Sequence, residues 1–157
     1  DWSSDVCSSD LLVRALRAYP KMNATMEGDQ VTHWEPLHLG YTLEDGDDLC
    51  LAVLPNVDKL NLKSLSEELA NLKREAKENP TFALTNLGDF GIDSFTPVVT
   101  PPNCPLLGIG RIKPQQESRY SVWLSLTFDS RLVGSGVASR FLNAFALSLK
   151  NPLFALL

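Results

Sequence analysis

Leu126-Thr127-Phe128-Asp129-Ser130-Arg131-Leu132-Val133-Gly134-Ser135-Gly136 joins two segments of different periodicity. Before it, residues 120–128 run as an extended segment that alternates from Val122 onward, the pattern of a half-buried strand. After it, Ala138, Leu142, Phe145 and Leu149 recur at helical spacing until Asn151-Pro152 stops the element. A polar turn between a strand and a helix is a place where folds display chemistry, because the rigid elements on either side position it. This turn offers an acid, a guanidinium, two hydroxyls and two glycines. It holds no histidine.

Residues 106–112 form an extended run and 113–119 a polar turn. Residues 82–87 make a short strand, after which Gly88 and Gly91 loosen the backbone. Val98-Val99 leads into Pro101-Pro102, a pair that no interior strand tolerates. Leu37, Leu39, Tyr41 and Leu43 alternate with polar or small residues, residues 44–48 are a turn by composition, and 49–54 are apolar on both faces. The alternation predicts a strand and the apolar run a central strand, the two forming a hairpin. Leu65, Leu69, Leu72 and Ala76 lay one apolar stripe on a helix over 61–78, capped by Asn61 or by a Ser64–Glu67 box. Leu12, Leu16 and Tyr19 share a helical face that Pro20 ends, and 22–28 reads as an irregular link. Five or six strands and three helices in this order predict an α/β two-layer sandwich, a mixed sheet with helices over one face.

The 157 residues are 44% hydrophobic and 21% charged, as expected of one soluble domain. No apolar run is long enough for a transmembrane helix. Residues 1–11 are one reading frame of a common short-read sequencing adapter, so they are set aside as a scar and the domain is taken as 12–157. Without Asp1, Asp5 and Asp10, 16 acids face 14 bases and the net charge moves from -5 to -2. No basic cluster remains to neutralise phosphates, which argues against a nucleic-acid partner. Cys50 and Cys104 are left, without C-x-x-C spacing, and read as reduced, buried thiols of a cytosolic protein. A chain opening at Leu12 opens inside a helix, so the expectation is the C-terminal part of a longer domain.

His33 and His38 are the available neutral-pH bases. A surface or strand-face imidazole is the simpler reading of each. No H-x-x-x-H, G-x-S-x-G or G-x-x-x-x-G-K pattern occurs, and Asp47 and Asp48 sit in a turn as solvated acids.

Several words occur together in an order that carries a resemblance. They are Thr85-Asn86-Leu87-Gly88, then Phe90-Gly91-Ile92-Asp93-Ser94-Phe95-Thr96, then Pro101-Pro102 and Leu107-Gly108-Ile109-Gly110-Arg111-Ile112. Weaker ones are Tyr19-Pro20, Met22-Asn23-Ala24, residues 49–58 and the helix over 60–76. Their order and spacing over 12–157 resemble the catalytic domain of dihydrolipoamide acyltransferases, the acyl-transfer components of 2-oxo-acid dehydrogenase complexes. The resemblance implies a chloramphenicol acetyltransferase-like fold and a catalytic domain longer at its N-terminus than this chain. It also implies that residues 77–82 pass more briefly here than in the family.

In that family the last strand enters a D-H-R-x-x-D-G turn. Aligning Asp129 and Arg131 puts Ser130 at the histidine, Gly134 at the second acid and Ser135 at the glycine. The family histidine would deprotonate the thiol of coenzyme A or dihydrolipoamide, since a thiol of pKa about 8.5 is mostly protonated at neutral pH. Thr85 falls at the hydroxyl position that would stabilise a tetrahedral oxyanion. Asp129 and Arg131 read as a pair holding the turn. The resemblance further implies coenzyme A and a lipoyl group as substrates, with no covalent cofactor in this chain. It implies a homotrimer or larger core in which Thr85 faces the 130 turn of a neighbour, working with decarboxylase and dihydrolipoamide dehydrogenase components. The expected location is the cytoplasm, or the mitochondrial matrix in a eukaryote. The activity expected is acyl transfer impaired or lost at Ser130 and Gly134, or else a non-catalytic core role.

Overall fold

The computed structural model describes residues 2–73 and 77–151. Among them are three α-helices, α1 (Trp2–Ala18), α2 (Leu62–Ala70) and α3 (Ser135–Lys150). The strands are β1 (Ala24–Glu27), β2 (Gln30–His33), β3 (Leu39–Asp45), β4 (Asp48–Leu54), β5 (Phe82–Asn86), β6 (Leu106–Ile109), β7 (Lys113–Pro114), β8 (Tyr120–Ser121) and β9 (Leu124–Thr127). Five of them make a mixed sheet in the order β4-β3-β5-β6-β9, with β3, β5 and β6 parallel and both edges antiparallel. Strand alternation sends Leu39, Tyr41, Phe82, Leu84, Leu107 and Ile109 to one face, where α1 packs between α2 and α3. Phe82, Phe141, Phe145, Leu12 and Leu16 are fully buried there, with the Phe141 ring 5.6 Å from Phe82 and edge-on to Tyr19 at 6.3 Å. The result is the two-layer sandwich that the element order implied.

Several local expectations are corrected. Residues 22–28 are no irregular link: β1 and β2 form a hairpin around Gly28-Asp29, with Gly28 at φ +58. Thr25 is buried between Ala24 and Met26 and accepts a bond from the Trp34 indole (2.8 Å), which erases the period-two signal a strand would show. The apolar run of β4 is an edge strand rather than a central one. Ala52 and Leu54 face the helices, while Leu49 and Leu51 line a groove on the opposite side of the sheet. The segment 120–128 divides into β8, paired with β7 in a separate ribbon, and β9 in the sheet.

Helix α2 stops at Asn71, whose Nδ2 donates to the Glu67 carbonyl (2.8 Å), so it is shorter than the apolar stripe suggested. Its cap is Asn61, which accepts from Ser64 N–H at 2.9 Å, and not the Ser64–Glu67 box. Ala76 lies outside the described residues. Helix α1 extends back through the segment set aside above. There Ser9 is fully buried and accepts a bond from the Tyr41 hydroxyl (2.8 Å), and burial raises the Tyr41 pKa.

Candidate functional site

The face of the sheet away from the helices carries Thr42 on β3, Ala83 and Thr85 on β5, and Gly108 on β6. Thr85 is 8% exposed, and its hydroxyl lies 2.7 Å from that of Thr42. One hydroxyl of the pair donates and the other accepts. With Thr42 as donor, Thr85 keeps its own proton for an oxygen standing in front of it. The next residue, Asn86, points the other way; its Oδ1 accepts from Gly88 N–H (3.0 Å) and its Nδ2 donates to Asp5 (2.9 Å). That closes the turn which begins at Leu87.

Thr85 opens into a groove of about 410 Å³ between the sheet and the 95–104 loop, with Leu51, Phe95, Pro97 and Val98 among its walls. Two glycines let this loop lie down on β6. A Cβ at Gly108 would come within 2.8 Å of the Phe95 ring, and one at Gly110 within 1.9 Å of the Asp93 carbonyl oxygen. Lys113 and Arg111 (2.7 Å) hold the Asp93 carboxylate, and those bonds lower its pKa. At its far end the loop meets β1, where Met26 N–H donates to the Pro102 carbonyl (3.2 Å) and Asn103 Nδ2 to the Met26 carbonyl (3.2 Å). Cys104 lines the groove, and burial pushes its thiol up to about 12, which favours the protonated form. Cys50 is half-buried, and both thiols are free.

The 129–134 turn is built by Asp129. Its carboxylate accepts from Arg131 Nη2 (2.7 Å), Nε (3.1 Å) and backbone N–H (2.9 Å), while its carbonyl accepts from Leu132 N–H (2.9 Å). The Arg131 side chain, followed by its N–H, holds the Asp129 carboxyl below the usual range, and Asp129 in turn raises the guanidinium pKa. Arg131 also reaches Asp29 of the β1–β2 turn at 3.4 Å, a tie that the sequence reading lacked because it lacked the hairpin. Leu132 and Val133 anchor the turn in the core, and Ser130 is exposed at its outside. Gly134 is the N-cap of α3, with φ -70, ψ 145 and no side-chain cap, and a Cβ added there would meet nothing within 4 Å.

The structure does not bring Thr85 and Ser130 together within this chain, since no residue of the 129–134 turn lines the Thr85 groove. Neither histidine fills the gap. His38 Nδ1 accepts from Asn56 N–H (3.0 Å), and His33 is exposed on β2 opposite Ala24. Among the described residues no cluster of His, Cys, Asp or Glu could hold a metal, and no helix is long and apolar enough to cross a membrane. Thr42 was passed over in the sequence as the polar side of an alternating strand. Only the register of β3 against β5 shows that it stands beside Thr85.

The profile of the 2-oxoacid dehydrogenases acyltransferase catalytic domain matches residues 7–157. The chain belongs to this family. The dihydrolipoyllysine-residue acetyltransferase component of the acetoin cleaving system of Bacillus subtilis is 31% identical over 156 residues, covering 89% of the chain and 39% of that relative. The chain therefore spans about two fifths of the length of this curated relative. The cubic core of the pyruvate dehydrogenase multienzyme complex superposes with a TM-score of 0.78 at 26% identity, over 94% of the chain and 70% of that protein. A chloramphenicol acetyltransferase shares the fold, at a TM-score of 0.64 and 12% identity over 89% of the chain and 74% of that protein. The acyltransferase sandwich implied by Thr85-Asn86-Leu87-Gly88 and its companion words is the fold of this chain.

Proposed function

We propose that this acyltransferase-family chain has lost, or retains only weakly, acyl transfer between dihydrolipoamide and coenzyme A. The observation that carries the reading is the 129–134 turn: its Asp129–Arg131 frame stands while Ser130 and Gly134 occupy the positions of the family's base and second acid. A serine hydroxyl takes up no proton near neutral pH, so the attacking thiol would lack its general base. Such a base contributes about 10² to 10⁴ in rate. The buried Thr85 hydroxyl, backed by Thr42, would still polarise a thioester carbonyl. Because Thr85 and the turn lie apart in one chain, the reading includes a homotrimer in which a neighbour brings its turn to the groove. Coenzyme A and a lipoyl group are the substrates, and decarboxylase and dihydrolipoamide dehydrogenase components the partners, that go with this assignment.

A second reading, a non-catalytic core protein, is favoured by where the changes fall. Ser130 and Gly134 are exposed, whereas Leu132, Val133 and the residues that build the sandwich remain buried. Following thiol release from acetyl-coenzyme A with dihydrolipoamide as acceptor tests the first reading. Little or no turnover above the uncatalysed rate is expected.

A further inference from the structure

We propose that the Thr85 groove accepts an uncharged acyl group and rejects one that ends in a carboxylate. The inference rests on the reading of Thr85 as the hydroxyl that meets the thioester carbonyl, and it adds the class of acyl group, which membership of the family leaves open. None of the described residues lining the groove carries a charge. Leu51, Ala83 and Leu106 come from the sheet, Phe95, Pro97 and Val98 from the loop above it. The Thr42 and Thr85 hydroxyls bond each other, leaving donor capacity for one carbonyl oxygen.

Three cations that follow the loop in the chain are committed elsewhere. Arg111 and Lys113 hold Asp93, Arg131 holds Asp129 and Asp29, and none of the three lines the groove. At about 410 Å³ the groove has room for an acyl chain of several carbons, so size alone does not exclude a dicarboxylic acyl group. Charge does, because a carboxylate taken out of water without a partner loses its hydration and gains nothing in return. A branched or straight aliphatic chain instead gains by leaving water against these walls.

The experiment is equilibrium binding of coenzyme A, acetyl-, isobutyryl- and succinyl-coenzyme A to this chain, read by calorimetry so that no turnover is needed. The expected result is isobutyryl-coenzyme A binding at least as tightly as coenzyme A, with succinyl-coenzyme A weaker by about tenfold or more. Equal or tighter binding of the succinyl thioester overturns the proposal while leaving the site itself standing. Absence of binding by all four ligands overturns the reading of the site and this inference with it. Leu51→Arg supplies the second arm, since Leu51 is 40% exposed at the sheet edge and tolerates a polar end. That variant is expected to narrow or reverse the preference against succinyl; an unchanged ratio would place the acyl group outside this groove and overturn the assignment.

Discussion

At position 130 the side chain that faces solvent is a hydroxyl, and four residues on, at the N-cap of α3, there is no side chain at all. These two positions have separate physical consequences. Ser130 bears on proton transfer alone. Gly134 bears on the helix, because an N-cap side chain bonds one of the free N–H groups of the first turn and an acid there also meets the positive end of the dipole. Open space around Gly134 and its ordinary φ leave an aspartate unhindered. Gly134→Asp is therefore expected to stabilise the chain by a few tenths to about 1 kcal/mol, seen as a rise in Tm; a fall in Tm would contradict the capping argument. Ser130→His alone is expected to leave the rate below that of an active relative, and Ser130→His with Gly134→Asp to exceed it. Full recovery in the single variant would show that position 134 contributes nothing to the reaction.

At the scale of elements, the crossing of the 93–97 segment over β6 shapes the groove. It depends on Gly108, where a Cβ would meet the Phe95 and Pro97 side chains, and on Gly110, where it would meet the Asp93 backbone. Gly110→Ala is expected to cost about 3 kcal/mol, measured by denaturant unfolding, because its methyl would overlap the Asp93 carbonyl. A cost near zero would mean that the loop shifts freely. Elements with strong periodicity were legible in the sequence: the β3–β4 hairpin, β5, and the Ala138–Phe145 face of α3 all lie where alternation or helical spacing put them. What was not legible was position within the sheet. Leu49 and Leu51 are apolar because they line a groove, and periodicity does not distinguish that from a central strand. The β1–β2 hairpin was hidden because Thr25 is buried beside its apolar neighbours. The place of Thr85 came from the resemblance, and its partner Thr42 came only from register.

For the whole molecule, the groove and the turn are separate surfaces of one chain. Chemistry joining them needs a second copy. Apolar side chains of the groove, Leu49 at 52% exposed and Val98 at 75%, stand open on that side of the sheet. Light scattering of the protein is expected to give a trimer or a larger assembly; a monomer would remove the core-building reading and with it any site shared between subunits. Whether an acyltransferase frame works without its base is measured by dihydrolipoamide-dependent thiol release from acetyl-coenzyme A, beside an active family member. A rate lower by about 10² or more is expected. Turnover equal to that of the active relative would contradict it.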